Sequence, residues 1–379
     1  MNDDTIFSRQ NSSASAGHHK AHRQSAVSAC IHSLYRYLRP YGTLDAGQAK
    51  RVSDATARER GEFLIRSIRD LARVPDASGT TYRLRDVKNF GPKHVRRLAA
   101  IWEERGYSAG VIQKYFSYLR TLAIWIDKRG MIGDAGLYLK DPNRAKRIRI
   151  ATEDKSWSAQ GIDIETLIAT VFADDQHVGM CLMLQSAFCL RAREGWLLRA
   201  SKALNDDRTI LHITEGAKNG LSREFPITEA GQIEVLDLAA SLASPATGSQ
   251  IPKRYTFTGW CNHFYYICRK HGIARKKKVV THGLRHEGAN DDYEELAGFP
   301  SPVRAGTVPF NFDKLKDHVA RLEISKRLGH GRKQVSSAYL GSFLKPRNVD
   351  TTDTARANRE TLLAEETPTN PDRTLILPD

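Results

Sequence analysis

The sequence predicts a mainly α-helical protein with one small β-sheet, an α+β fold that is divided between two domains. Apolar side chains recur at helical spacing along most of the 379 residues, whereas only one pair of segments has the pattern of a β-hairpin. The length is long for one domain and sufficient for two. A short basic stretch without apolar periodicity separates the two helical regions and is the predicted boundary.

The charge of the chain indicates a polyanionic partner. Lys and Arg number 58 against 43 Asp and Glu, which gives a formal net charge of +15 and a pI near 9.6. Such an excess favours nucleic acid, with an anionic membrane surface well behind. No apolar run approaches the roughly 18 residues of a transmembrane helix, and residues 1–17 lack the apolar core of a signal peptide. We therefore expect a cytoplasmic protein without a membrane partner.

Cysteine usage predicts neither a disulfide framework nor a zinc knuckle. The five cysteines are odd in number and none belongs to a Cys-x-x-Cys pair. Cys261, His263, Cys268 and His271 have a metal-like spacing, but the apolar residues between them fit the face of a helix. We expect no metal site there.

The first helical region is predicted to be a compact domain with a basic exterior. Residues 1–25 contain almost no large apolar side chains and are predicted to form a flexible basic arm. Within residues 26–139, helical periodicity is found in 27–38, 63–71, 93–105 and the stretch that follows the N-cap residue Ser108. Lys114 and Arg120 lie outside the apolar stripes and are predicted to contact DNA phosphates, although a solvated face is the default for such charges.

Residues 140–157 are predicted to be a basic linker. They include Asp141-Pro142 and four closely spaced cations: Arg144, Lys146, Arg147 and Arg149. A linker that only separated two domains would not need this charge. We therefore predict that the segment lies along a nucleic-acid backbone.

The second region, residues 158–345, combines helices with the predicted hairpin. Helices are predicted over 162–172, 177–190 and 260–271, and strands over 209–214 and 223–227. The strands are joined by a turn that contains Asn219-Gly220, the strongest short turn signal in the chain. Lys218 is therefore predicted to project from the tip of a hairpin.

A basic run and a further helix follow. Thr281 is predicted to cap the helix that carries His282 and Arg285, whose spacing of three places both side chains on one face. Residues 346–379 are an acidic tail rich in Thr and Pro. The basic run is usually either solvated or a phosphate patch, and we predict DNA contact by three of its lysines: Lys276, Lys277 and Lys278.

The chemistry that these residues suggest is cleavage of a phosphodiester by a tyrosine. Such a reaction needs an attacking oxygen, a proton acceptor, cations around the nonbridging oxygens and a donor for the leaving 5′ oxygen. Arg191 and Arg285 are candidates for a bidentate phosphate clamp, and His282 can accept a proton near neutral pH. Lys218 could protonate the leaving oxygen, and Tyr339 could attack. Taken alone, the lysine is more often a solubility residue and the tyrosine a core residue.

In chain order, the set resembles that of the tyrosine recombinase (phage integrase) family. The motifs are Leu190-Arg191-x-x-Glu194, Lys218, His282-x-x-Arg285-His286, Leu328-Gly329-His330 and Tyr339. The resemblance extends over roughly residues 60–345 and is densest after residue 180. It implies a helical SAM-like core-binding domain and a mixed catalytic domain that close as a clamp around DNA.

The resemblance also implies a role for each matched residue. Tyr339 would form a 3′-phosphotyrosyl link, Arg191 and Arg285 would bind the scissile phosphate, and Lys218 would be the general acid. His282 would be the acid/base, and His330 would donate a hydrogen bond to the phosphate. Glu194 would orient Arg191 or its neighbours. No cofactor is implied, because the covalent link conserves the energy of the diester without ATP or a divalent metal.

Two features depart from the family pattern. The interval between Arg285 and His330 is longer than usual, which we attribute to an insertion near residues 290–320; within it, residues 293–307 are predicted to be a loop because they contain two prolines and two glycines. Ser336 also stands where many members carry Thr. Neither change removes a catalytic group.

The leading hypothesis is a site-specific recombinase that integrates or excises a mobile element. Its predicted partners are double-stranded DNA, other protomers in a DNA-bound synaptic tetramer with residues near 340–344 packed on a neighbour, and accessory DNA-bending proteins. One alternative is a type IB topoisomerase or resolvase with the same chemistry. Another is a DNA-binding accessory protein that does not cut, but such a protein would have no chemical need for all six groups.

Overall fold

The computed structural model describes residues 26–40, 51–330 and 335–343, which fall into two compact units divided between Ile148 and Arg149. This division lies within the segment 140–157. The arm predicted over residues 1–25 and the tail predicted over residues 346–379 lie outside the described residues. The exact domain limits given above remain predictions.

The first unit is a small helical bundle. Its helices are α1 (26–40), α2 (Asp54–Arg73), α3 (Pro92–Glu104) and α4 (Ala109–Trp125). Ser53 caps α2 by accepting a hydrogen bond from the Thr56 N–H, and Pro92 occupies the first turn of α3, where its missing N–H costs nothing. The four helices predicted from apolar periodicity are confirmed.

Aromatic side chains fill the centre of this unit. The Phe63 ring stacks on Tyr115 at a centroid distance of 4.3 Å, and Trp102 meets Phe116 edge-on at 5.5 Å. Phe63, Trp102 and Phe116 are buried. Each such side chain contributes about 1.5–3 kcal/mol through burial, so this core can stabilise the unit by itself.

The second unit is mainly helical with one hairpin. Its longer helices are α5 (Ile164–Asp174), α6 (Gln176–Ala187), α9 (Ala230–Leu242), α10 (Phe257–Lys270), α11 (His282–Ala297) and α13 (Lys314–Arg327). Its short helices are α7 (Ala192–Leu197), α8 (Ala200–Ala203), α12 (Pro302–Ala305) and α14 (Ser337–Leu340). Strands β1 (Ile210–Ile213) and β2 (Arg223–Pro226) pair antiparallel, with Ile213 opposite Arg223. The predicted mainly α fold with a small sheet is confirmed.

Helices α5 and α6 follow one another directly in the second unit and pack closely together. Asp163 and Asp175 each cap one of them by accepting a hydrogen bond from a backbone N–H of the first turn, a contact worth about 1 kcal/mol. The two helices cross at Gly179, where a Cβ atom would lie 2.4 Å from the Phe172 Cα. The crossing therefore requires glycine. The apolar α6 is buried over most of its length, as predicted.

The end of the predicted linker belongs structurally to the second unit. The Trp157 side chain is fully buried, and its indole Nε1 donates a hydrogen bond to the Val280 carbonyl at 2.7 Å. Ser158 Oγ donates to the carboxylate of Glu287 on α11 at 2.5 Å. Gly283 lets α11 approach closely, since a Cβ there would lie 2.6 Å from the Trp157 ring. These contacts fix the start of α11, the helix that carries His282 and Arg285.

The predicted loop over residues 293–307 is wrong. Tyr293 continues α11, which extends to Ala297, and α12 lies within the same stretch. Tyr293 and Ala297 follow Ala289 at four-residue spacing, and all three are buried, so the helix gains a core face by continuing. The glycine and proline residues mark element ends instead: Gly298 ends α11 with a φ of 76°, and Pro302 begins α12.

The helices were searched for a segment that could span a membrane. In the stretches 26–40, 51–330 and 335–343, no helix is both long and apolar enough to cross a membrane.

Candidate active site

Three of the predicted catalytic residues, His282, Arg285 and His330, lie around Tyr339, and Arg191 joins them by donating to the Leu328 carbonyl that Arg285 also contacts. Arg191 precedes α7, His282 and Arg285 lie in the first turns of α11, and His330 follows α13. The hydroxyl oxygen of Tyr339, on α14, lies 3.3 Å from Arg285 Nε and 3.5 Å from His330 Nε2. The Tyr339 and His282 ring centroids are 5.7 Å apart. Residues separated by more than a hundred positions in sequence thus converge on one site.

Glu194 holds the arginines of this site in place. Its side chain is 0% exposed and accepts hydrogen bonds from both the Arg191 backbone N–H (2.8 Å) and the Arg191 guanidinium (2.6 Å). Arg223 donates to both carboxylate oxygens, at 2.9 and 2.8 Å. Burial alone would raise the pKa of Glu194, but hydrogen bonds and charge from Arg223 and Arg191 outweigh it and lower the pKa to about 2. Glu194 is therefore ionised and neutralises part of a dense cationic cluster.

Arg223 was not predicted as a site residue. It is the first residue of β2, and the inward-facing positions of that strand are Arg223 and Phe225. An arginine in the core-facing position of a short strand needs a buried anion, and that alternation is the signal that could have found it. Gly329 makes room for it: its φ is 65°, and a Cβ there would lie 2.8 Å from the Arg223 Cδ.

Arg285 is fully buried, and its guanidinium is bound on all sides. Its Nη1 donates to the Cys189 carbonyl, its Nη2 donates to the Leu328 carbonyl, and its Nε faces the Tyr339 hydroxyl. Cys189 has a φ of 49°, an unusual value for a residue other than glycine. Its side chain lies against Gly288, where a Cβ atom would lie 2.3 Å from the Cys189 Sγ.

The three histidines of the site are held neutral. Burial, followed by the positive charges of Arg285 and Arg191, lowers the pKa of both His282 and His330 to about 4. The surface of the His282 ring is nevertheless exposed to solvent, although the atoms around its nitrogens are enclosed enough to lower the pKa. Burial, followed by the neighbouring His282 and Lys155, also lowers the pKa of His286 to about 4. At neutral pH these imidazoles therefore have a free lone pair that can accept a proton.

His286 is a further site residue that was quoted in a motif but given no role. It is buried, and its ring centroid lies 4.8 Å from that of Tyr339 and 5.3 Å from that of His282. Its Nδ1 atom has no hydrogen-bond partner in the described part of the chain. The side chain thus supports the tyrosine ring by packing.

Lys218 lies where the hairpin prediction places it, in the turn between β1 and β2. Residues Lys218–Gly220 form one turn of 3-10 helix, and the Lys218 side chain is exposed. Its positive charge, together with those of Arg285 and Arg191, lowers the pKa of His330. The role of Lys218 as a proton donor stays a prediction.

The residues predicted to bind DNA fall into two groups. Arg120 donates to the backbone carbonyls of Ile132 and Gly133, and Lys114 pairs with Glu59. Arg144 donates to the carbonyls of Glu103 and Tyr107, so these three side chains stabilise their own unit. The second group consists of exposed side chains: Lys146, Arg147, Arg149, Lys276, Lys277 and Lys278, the last paired with Glu153 at 3.3 Å. Phosphate contact by either group stays a prediction.

The residues with metal-like spacing lie on or directly after α10 and have other partners. His263 pairs with Asp175 at 2.7 Å, and His271 pairs with Asp174 at 2.9 Å. Among the residues that the structure describes, no three His, Cys, Asp or Glu side chains converge as a metal site would require.

Comparison with known proteins gives one family match and several similar folds. Residues 151–291 match the family model described as Integrase. No curated protein sequence matches the chain. Among solved structures, the Tn1549 transposon integrase in complex with transposon right-end DNA is 14% identical, aligned over 89% of this chain and 99% of that chain with a TM-score of 0.46. The XerH site-specific recombinase bound to palindromic difH substrate is 15% identical over 91% and 96% of the two chains, with a TM-score of 0.47. The XerA recombinase is 16% identical over 89% and 100%, with a TM-score of 0.32.

Proposed function

We propose that the chain is a tyrosine recombinase of the integrase family, whose model matches residues 151–291, and that it is a site-specific DNA recombinase that cuts and rejoins DNA to integrate or excise a mobile element. The observation that carries the proposal is the position of the Tyr339 hydroxyl, 3.3 Å from Arg285 Nε and 3.5 Å from His330 Nε2. A tyrosine that served only the core would not need to direct its hydroxyl at a cluster of cations.

The reaction assigns one task to each side chain. The Tyr339 oxygen attacks the scissile phosphorus, its proton passes to neutral His282, and a 3′-phosphotyrosyl bond forms. The bond to the 5′ oxygen breaks, and Lys218 protonates that oxygen as it leaves. In the second step a 5′ hydroxyl from the partner strand gives its proton to Lys218 and attacks the phosphotyrosyl phosphorus. The bond to Tyr339 breaks, and the tyrosine oxygen regains the proton that His282 holds. Bonds broken and formed balance without ATP.

The arginine cluster supplies the electrostatic part of catalysis. Three guanidinium groups, those of Arg191, Arg223 and Arg285, share the single carboxylate of Glu194, with Arg285 Nη1 at 3.9 Å from it. The excess positive charge is fixed in place before DNA arrives, so no reorganisation is needed when charge develops on the phosphate. Arg191 is the most accessible of the three, 20% exposed against 0% for Arg285, and is the arginine that an incoming phosphate meets first.

The partners follow from the same proposal. Double-stranded DNA is the proposed substrate, and strand exchange requires a synaptic tetramer with accessory DNA-bending proteins, in the cytoplasm at the nucleoid. Leu340 is fully buried in its own unit and Phe343 packs on Phe312 at 5.3 Å. Packing of residues near 340–344 on a neighbouring protomer stays a prediction.

The test is covalent trapping on nicked DNA that carries the ends of the encoding element. Wild type and Tyr339→Phe are incubated with labelled DNA in EDTA and separated by denaturing electrophoresis. We expect an adduct from wild type alone, with equal DNA affinity for both proteins, since the substitution removes only a hydroxyl. Specific binding without an adduct would instead support the accessory-protein alternative. Relaxation of supercoiled plasmid without element sites would support the topoisomerase alternative.

A further inference from the structure

Arg321, on α13, connects the two ends of the helix that carries Tyr339. Its side chain is only 6% exposed. Its Nη1 donates to the Gly341 carbonyl at 3.1 Å and to the Ser337 hydroxyl at 3.4 Å. Ser337 is the first residue of α14 and Gly341 directly follows its last, so one guanidinium group fixes both ends.

The position of Arg321 is itself fixed from α11. Its Nε donates to Asp317 Oδ1 at 2.8 Å, and the same oxygen accepts a hydrogen bond from the Tyr293 hydroxyl at 2.6 Å. The guanidinium carbon also lies 5.7 Å from the centre of the Tyr293 ring. Tyr293 and Arg285 lie on the same helix. A chain of polar contacts therefore runs from the helix of the phosphate-binding arginine to the helix of the nucleophile.

Helix α14 needs such support. With four residues it is far too short to be stable alone. On another side, the Ser337 carbonyl accepts a hydrogen bond from the Ala151 N–H at 2.9 Å. Gly341 has a φ of 74° and is closely packed, since a Cβ there would lie 2.8 Å from the Val303 Cγ1 and 3.0 Å from the Ala151 carbonyl oxygen. The position of Tyr339 thus depends on contacts made from outside its helix.

We propose that Arg321 is a positioning residue for Tyr339, and that the segment 293–321 holds the attacking oxygen at the observed distances from Arg285 Nε and His330 Nε2. This inference rests on the proposed function, because it takes Tyr339 as the attacking residue. The hydrogen bonds of Arg321 go to Asp317, Ser337 and Gly341 and not to the Tyr339 hydroxyl. Its effect is geometric, and a displacement of the attacking oxygen of about 1 Å can lower the rate of a reaction about 10²-fold.

The matched experiment compares Arg321→Gln with Arg327→Gln. Arg327 lies on the same helix and is similarly enclosed, but its side chain pairs with Asp292 at 3.2 Å and with Glu323, and not with α14. Three quantities are measured for each variant: DNA affinity, the single-turnover rate of adduct formation at saturating DNA, and amide hydrogen exchange across residues 337–341. If Arg321→Gln does not fold, Arg321→Lys replaces it, because lysine keeps the charge beside Asp317 but cannot bind both ends of α14 at once.

For Arg321→Gln we expect unchanged DNA affinity, faster exchange at residues 337–341 with unchanged exchange in α11, and a rate of adduct formation lower by about 10²-fold. Arg327→Gln should lose thermal stability but keep the wild-type rate. Adduct formation by Arg321→Gln at the wild-type rate, or equal losses in both variants, would overturn the inference. If wild type forms no adduct, the proposed function fails, whereas unchanged exchange at residues 337–341 in Arg321→Gln is the result that rejects the role of Arg321.

Discussion

Replacing Glu194 by Gln tests whether the arginine cluster depends on one buried anion. The substitution keeps the shape of the side chain and one carbonyl acceptor but removes the charge that Arg191, Arg223 and Arg285 share. Two of these arginines bind Glu194 directly, at distances between 2.6 and 2.9 Å. Without it, three guanidinium groups repel one another in a site where Arg285 and Arg223 are buried. We expect a large loss of stability in the second unit.

The expected loss of stability in Glu194→Gln is about 3 kcal/mol or more, for two independent reasons. Removing one partner of a buried ion pair typically costs about 3–5 kcal/mol. The pKa of Glu194 is lowered from 4.5 to about 2. At about 1.4 kcal/mol per unit, that shift contributes about 3 kcal/mol of stability at pH 7. The folded pKa is the lower one, so this contribution is present above pH 4.5 and is lost as the pH falls towards 2. In a unit of this size a loss of about 3 kcal/mol corresponds to about 6–12 °C in the melting temperature.

The assay is thermal unfolding of the full chain at pH 7, with Glu224→Gln as the control. Glu224 lies next to Arg223 on β2 but is exposed, and its ion-pair partner among the described residues is His212 at 3.7 Å, so its replacement should cost less than about 1 kcal/mol. Saturating DNA should reduce the deficit of Glu194→Gln, because a bound phosphate supplies negative charge to the same arginines. A loss for Glu194→Gln no larger than that of the control would refute the reasoning.

Two further predictions concern pH and salt. Between pH 6.5 and about 4 the melting temperature should fall on acidification, because the pKa values of His282, His286 and His330 are about 4 in the folded chain and the unfolded chain takes up their protons first. Asp292, whose pKa is raised to about 6, has the opposite effect. His286→Asn should make the melting temperature depend less steeply on pH. Replacing Lys276, Lys277 and Lys278 by Ala should flatten the dependence of log affinity on log salt by about 0.9 for each DNA phosphate that the variant no longer neutralises, measured by titration at several salt concentrations. An unchanged slope would exclude these lysines from the DNA interface.

Local patterns in the sequence accounted for most of the elements. The hairpin was predicted from strand alternation around Asn219-Gly220, and the structure pairs Ile210–Ile213 with Arg223–Pro226. The helices were predicted from periodicity because each buries one apolar stripe, a property that neighbouring residues determine. The prediction for residues 293–307 failed because it gave Pro and Gly more weight than the buried four-residue spacing of Ala289, Tyr293 and Ala297.

Contacts between residues that are far apart in sequence could not be predicted from local patterns. The order of Arg191, His282, Arg285, His330 and Tyr339 indicated a shared reaction, but not that Glu194 would bind Arg223 or that Arg285 would be fully buried. Those facts depend on how β2 and α11 pack, and no spacing of residues encodes that packing. The contacts of Arg321 with Ser337 and Gly341 could not be predicted either, because both partners lie beyond the end of its own helix.

The contact between Cys189 and Gly288 restricts the order in which substitutions can accumulate during divergence. A methyl group at position 288 forces the Cys189 side chain to move, because the new carbon would lie 2.3 Å from the sulfur. Position 189 is under a separate constraint, since its φ of 49° favours glycine. A lineage can therefore replace Cys189 by Gly first and enlarge residue 288 afterwards. In the reverse order, the intermediate must displace Cys189, whose carbonyl accepts a hydrogen bond from Arg285.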